Sequence, residues 1–446
     1  MRNANLAVNL HQLFLHCPQY AKLLSRTARG SGSELNLVGL TDSAKTLVLS
    51  VLSHETKRPI FIVVQDNHTG ARYHQELSNL SKYPVYLFPS SEVSPYEQVL
   101  SSPDNIAAQL EVLSHCQDKA EQPFIAVVSA RALTQRVLSP KTLTDNTLTF
   151  SVGESIDTQE VARRMANLGY SREALVTLRG EFSIRGDIVD IFPSYGPPVR
   201  IELFGEEIES IRVFNIDSQR SVEPQQKCFI PPRWWIILHQ DDGEREALVE
   251  KLRAVTDETC QKLGDQAADT IRSVMESDLD ALASGRYPES VEYYAPYVHD
   301  EFATICDYIS DNSLIVLDEW DSLFAALTSY EDRLAAALKE GLETGRLLPL
   351  PRALHATSKE AAQALKKHQR VFVSTLPIAL EEETISSELA AQALVHFECQ
   401  PVERFGNQIE LLAEKVRQWR KEGLHVLIST EQPQRILGIF GLATDH

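Results

Sequence analysis

Between Pro59 and Gln65 the chain reads Ile60-Phe61-Ile62-Val63-Val64, five apolar residues with no polar break. A short unbroken apolar run suits a strand buried on both faces. Similar strand signals stand at Leu35–Gly39, Val85–Phe88 and Phe124–Ser129. Between them the pattern turns helical over residues 6–27, Ala44–His54, Tyr73–Lys82 and Ile106–His115, with a Gly/Ser break at Gly30–Ser33. Strands alternating with helices predict a parallel sheet covered by helices on both sides.

Near residue 146 the pattern changes. Thr147–Val152 reads as a strand, and Thr158–Leu168 as a helix with Asp157 as its N-cap. From Leu175 to about Phe229 the signal is almost all strand, punctuated by Gly180, Gly186 and Gly205. This predicts a small α+β insertion. From about residue 230 helices return, and Leu314-Ile315-Val316-Leu317 followed by Asp318-Glu319 predicts a buried strand that rejoins the first sheet. Leu347–Pro351 reads as a linker. Beyond it, Lys359–Lys367, Arg370–Ser374, Gln408–Glu422 and His425–Thr430 predict a further small α/β domain. The expected division is 1–145 and 231–351 for an interrupted α/β domain, 146–230 for the insertion, and 352–446 for the small C-terminal domain.

Composition is that of a globular chain, 43% hydrophobic and 24% charged. The 62 acidic residues outnumber the 43 basic ones, for a net charge of −19. Such a field repels phosphate backbones and disfavours free-standing, non-specific nucleic-acid binding; a basic protein partner suits it better. The six cysteines are scattered, and His396 with Cys399 makes a lone HxxC without a second pair, so reduced thiols and no metal are expected. The first residues do not form a signal peptide and no apolar run approaches a membrane span, which gives a cytoplasmic expectation.

Gly39-Leu40-Thr41-Asp42-Ser43-Ala44-Lys45-Thr46 nearly spells the GxxxxGK[ST] phosphate loop, between a strand and a helix. The backbone must wrap closely around phosphates, which asks for glycine before the lysine; Ala44 stands there. Two readings stay open. Either Lys45 and Thr46 still hold a nucleotide, or the connection has lost its ligand. Asp318 and Glu319 resemble the acidic pair that positions metal in such ATPases, which suggests a decayed ATPase-like core that does not hydrolyse ATP.

In the insertion, period-two alternation sets Ser183 and Arg185 on one face of a strand, with Phe182 and Ile184 on the other. Arg200 and Glu202 likewise share a face, opposite Ile201 and Leu203. Adjacent strands could display Arg185, Arg200 and Glu202 together, joined by Arg172. Between Ser151 and Val222 every basic side chain is arginine, the residue suited to bidentate pairing at interfaces. An ordinary solvated sheet face is the competing reading.

The run Arg179-Gly180-Glu181-Phe182-Ser183-Ile184-Arg185-Gly186-Asp187-Ile188-Val189-Asp190-Ile191-Phe192-Pro193, then Arg200-Ile201-Glu202-Leu203-Phe204, resembles the UvrA-binding domain shared by UvrB and bacterial transcription-repair coupling factors. Phe214-Asn215-Ile216-Asp217-Ser218-Gln219-Arg220 and Ser94-Pro95-Tyr96-Glu97 favour the coupling factors, since UvrB carries a long DNA-gripping hairpin in the latter region. The resemblance implies the N-terminal UvrB-like region of that family: a degenerate RecA-like domain, an inserted UvrA-binding domain and a small C-terminal domain. It implies UvrA as partner, with contacts at Arg172, Arg185, Arg200 and Glu202. Ser183 stands where UvrB has an arginine. It also implies that ATP and magnesium, RNA polymerase and DNA are engaged by the family's motor half, whose signatures this chain lacks. The alternatives are a UvrB-like ATP-dependent helicase or translocase, and a nucleotide sensor that binds ATP through Lys45 and Thr46 without hydrolysing it.

Overall fold

The computed structural model describes residues 17–27, 34–97, 99–118, 122–238, 242–376, 394–403 and most residues from 405 to 438. The first half of the helix expected over 6–27, the Gly30–Ser33 break and most of the strand expected at His425–Thr430 lie outside the described residues.

The chain opens with helix α1 (Pro18–Thr27), strand β1 (Glu34–Val38) and helix α2 (Asp42–Thr56). Then follow β2 (Ile60–Val64), α3 (Asn67–Leu80), β3 (Val85–Phe88), α4 (Pro103–Asp118) and β4 (Ile125–Ser129). Helix α3 starts six residues before its apolar periodicity, because the Asp66 side chain accepts from the Thr69 N–H and caps it. After the insertion, helices α6 (Asp242–Lys262) and α7 (Asp265–Ala283) lead to β13 (Leu314–Asp318), α8 (Trp320–Glu343), α9 (Ser358–Leu365), β14 (Gln369–Ser374), β15 (Leu394–His396) and α10 (Ile409–Lys421). In the insertion between β4 and α6 lie β5 (Leu148–Ser151), α5 (Thr158–Asn167), β6 (Ser171–Arg172), β7 (Glu181–Arg185), β8 (Ile188–Phe192), β9 (Val199–Phe204), β10 (Glu207–Phe214), β11 (Ser221–Gln225) and β12 (Lys227–Ile230).

Seven strands form one parallel sheet in the order β15-β1-β14-β13-β2-β4-β3. Alternate residues of one strand serve two cores. Phe61 and Val63 join Ala126, Val128, Ile315 and Leu317 on one face, while Ile60, Ile62 and Val64 join Ile125, Val127, Leu314 and Val316 on the other. This double burial is why the strands read as continuous apolar runs.

The described strands of residues 352–446 depart from the expectation of a separate small domain. Strand β14 lies between β1 and β13 in the middle of the large sheet, and β15 pairs with β1 at its edge. Their buried residues Val371, Val373 and Val395 belong to the same core as β1. Leu347–Pro351 is likewise no free linker. Leu347 and Leu348 are buried, and the Tyr293 and Tyr297 hydroxyls donate to the carbonyls of Leu348 and Pro349.

The insertion carries its own sheet, β11-β10-β9-β8-β7-β6, antiparallel except for β6 against β7. Strands β5 and β12 pair antiparallel where the chain enters and leaves it. One sheet face packs Phe182, Val189, Ile191, Ile201 and Leu203 against Val161 and Met165 of α5.

Candidate partner-binding face

The other face of the insertion sheet is polar, and its centre is a buried carboxylate. Register places Asp190 of β8 opposite Ser183 of β7 and Arg200 of β9. Arg200 Nε donates to Asp190 Oδ1 at 2.6 Å and its Nη2 to Oδ2 at 2.9 Å, a two-pronged pairing that fits guanidinium to carboxylate. Arg185 Nη2 donates to the same Oδ2 at 2.7 Å. The Asp190 side chain is 1% exposed, Arg200 15% and Arg185 48%. One carboxylate thus holds two guanidiniums, one inner and one reaching solvent. The Asp190 hydrogen bonds raise the Arg200 pKa above its ordinary value, against the opposing pull of burial. Arg200 also donates to the Gln219 carbonyl and lies 5.1 Å over the Phe214 ring.

Apart from Arg172, the sequence-derived residues fall on this face with unequal freedom. Arg185 is half exposed; Arg172 is exposed on β6, but its register partner is Phe182, so it lies on the α5 side of the sheet and not, as the sequence pattern predicts, beside Arg185 and Arg200. Glu202 accepts from Ser210 Oγ at 2.6 Å and lies 3.9 Å from Arg212 Nε. Ser183 is buried, its hydroxyl donating to the Ala174 carbonyl at 3.2 Å, so it braces the neighbouring loop and offers little outward surface. Pattern reading missed Asp190 and Arg212. The period-two rule that grouped Arg200 with Glu202 also puts Asp190 beside Ser183, so the signal was present. At the end of β9, Phe204 is 80% exposed on the same side as Arg200 and Glu202.

The phosphate-loop remnant lies far along the chain, at the ends of β1 and β13. Gly39 adopts a φ of +82°, and a Cβ there would sit 2.0 Å from the Phe397 carbonyl oxygen. Its glycine is therefore explained by the approach of the 397 backbone. Lys45 Nζ donates to Asp318 Oδ1 at 2.6 Å and to Glu319 Oε1 at 2.7 Å. Tyr73 donates to the other Asp318 oxygen at 2.8 Å, and burial with the adjacent Asp318 pushes its pKa well up. Burial pulls the Glu319 carboxyl up, but bonds from Lys45 and Thr375 outweigh it and leave it below its ordinary value. Thr46 donates to Glu76 Oε2 at 2.6 Å. The side chains that would meet phosphate and magnesium are turned on one another, and Ala44 stands inside α2.

Among the described residues no three His, Cys, Asp or Glu side chains gather as metal ligands, and no described helix is long and apolar enough to cross a membrane. All six cysteines are free thiols.

Residues 148–234 match the family described as the UvrB interaction domain, the span of the insertion sheet with its β5–β12 neck. Over 442 residues the chain is 26% identical to the transcription-repair-coupling factor of Bacillus subtilis (strain 168), covering 98% of this chain and 36% of that protein. The corresponding factor of Staphylococcus haemolyticus (strain JCSC1435) is 23% identical over 406 residues, covering 90% of this chain and 33% of the relative. That of Staphylococcus epidermidis is 24% identical over 415 residues, covering 91% and 34%. The chain spans about a third of the length of the curated relatives it matches. It carries a UvrB interaction domain set into a seven-stranded α/β domain, and over nearly its whole length it is similar to transcription-repair coupling factors.

Proposed function

We propose that this region recruits UvrA during transcription-coupled nucleotide excision repair, through the face built on Arg185, Arg200 and Glu202, with Arg172 at the edge of the same sheet. The observation that carries the reading is the coincidence of the UvrB interaction domain match with the insertion that presents the Asp190-anchored arginines. A preset guanidinium loses less freedom on binding than a free one, so the clamp favours pairing with carboxylates of a partner. In this reading the region works without a nucleotide, which the internal pairing of Lys45 with Asp318 and Glu319 supports. In the longer relatives, contacts with RNA polymerase, DNA and ATP fall to the remaining sequence, and this region restrains the motor there.

A titration of the chain with purified UvrA tests the assignment. Arg185→Ala should weaken binding at least tenfold, since losing one desolvated charge pair at an interface costs roughly 2–5 kcal/mol. The melting temperature should stay unchanged, because Arg185 is half exposed. Equal affinity of wild type and variant would refute the role of this face.

A further inference from the structure

Strands β5 and β12 form the neck through which the chain enters and leaves the insertion. Alternation sorts their side chains between two faces. Phe150, Cys228 and Ile230 turn into the core of the insertion. Lys227 and Phe229 are left on the opposite face, with Thr149 directly across from Phe229. That face lines a cleft of about 570 Å³. Its other walls are Ser114 and Gln117 of α4 and the β8–β9 loop at Tyr195 and Pro197. Phe229 is 54% exposed, so its ring is open to a ligand. Both the volume and the position between two domains are those of sites for single small molecules.

Charge selects the ligand. Among the described residues Lys227 is the one Lys, Arg, Asp or Glu side chain in the lining, and it forms no hydrogen bond or ion pair with the others. Asp145 is held by Lys141 at 2.8 Å, and Glu154 accepts from the Ser151 N–H at 3.1 Å; neither pairs with Lys227. His115 has both ring nitrogens engaged, Nε2 with the Tyr86 hydroxyl at 2.7 Å and Nδ1 with the Glu111 carbonyl at 2.8 Å. An unneutralised ammonium with no acid beside it attracts an anion, and the hydroxyls of Ser114 and Thr149 can add donors. Two positions along one strand face lie about 7 Å apart, so the anion at Lys227 sits next to an apolar body lying on Phe229. We propose that the neck cleft binds a small aromatic monoanion, an aryl carboxylate or sulfonate, with its ring on Phe229 and its anionic group at Lys227.

The test titrates the full chain with 8-anilinonaphthalene-1-sulfonate, an aryl sulfonate whose fluorescence rises in apolar surroundings. The signal should saturate with one dye per chain. Lys227→Gln should weaken the dye about fivefold, the scale of an ion pair that solvent reaches. Phe229→Ser should weaken it by a similar factor. Both side chains are exposed, so the unfolding midpoints of the two variants should match that of the wild type. Competition on the unaltered chain needs no variant. There 2-naphthoate should displace the dye, and 2-naphthamide, the same ring without the charge, should do so about fivefold less well. In Lys227→Gln the two should compete equally. Dye affinity unchanged in either variant, or equal competition by the two naphthyl compounds on the wild type, would overturn the proposal.

Discussion

Asp190 adds almost nothing to the surface and yet sets what the surface presents. With Arg185 removed, Asp190 keeps both bonds from Arg200, and the change is close to deleting a surface ion pair, less than about 1 kcal/mol. With Asp190 removed, Arg200 stays largely enclosed and loses both of its paired side-chain bonds, with only the more distant Glu202 to offset its charge, close to the situation that costs about 3–5 kcal/mol in buried pairs. Urea unfolding should therefore separate Asp190→Ala, strongly destabilised, from Arg185→Ala, nearly unchanged. Similar midpoints for the two would remove Asp190 from its central role. Lys45 follows the same physics at the other site. A ligand at a hundred times its dissociation constant stabilises by about 2.7 kcal/mol, so ATP with magnesium should raise the melting temperature visibly if it binds. No rise is expected, and Lys45→Ala should lose about 3 kcal/mol by stranding Asp318 beside Tyr73.

At the scale of elements, the segment holding His355 is tied by an antiparallel bridge to Gln135. Burial and the nearby Arg136 hold the His355 pKa at about 4, below the unfolded value of 6.5. The unfolded chain then binds a proton in the window between those values and the folded chain does not. Stability should fall as the pH drops from about 6.5 to about 4, by roughly 2–3 kcal/mol from this group. In a series of unfolding midpoints across that window, His355→Phe should show a flatter slope than wild type. Elements also mark what was legible in the sequence. The strands of the large sheet were readable from double burial, as at Ile60–Val64, and the inward face of the insertion from alternation, as at Phe182 and Ile184. Partnership was not readable. Gln369–Ser374 looks like a strand in any sheet, and only long-range pairing with β1 and β13 puts it in the middle of this one. Asp190 was hidden for a related reason: an aspartate in a strand reads as a solvated residue until the arginines of two neighbouring strands are set around it.

At the scale of the whole molecule, the charge of −19 sets how the region meets its partners. A protein that binds duplex DNA through phosphates gains affinity as salt falls, because it releases condensed counterions. Here the long-range term has the opposite sign. Lowering ionic strength from 0.15 M to 0.01 M extends the screening length from about 8 Å to about 30 Å, and with it the reach of the repulsion from phosphate. Within the insertion Asp190 neutralises the inner Arg200 and shares its charge with Arg185, which leaves the solvent-facing part of Arg185 for short-range pairing. Fluorescence-anisotropy titrations should thus find no duplex DNA binding at 0.15 M salt and none that emerges as the salt is reduced. Binding to UvrA should weaken with rising salt and lose part of that dependence in Arg185→Ala. DNA affinity that climbs steeply at low salt would show a phosphate-binding surface strong enough to overcome the net field, and recruitment alone would then no longer account for this region.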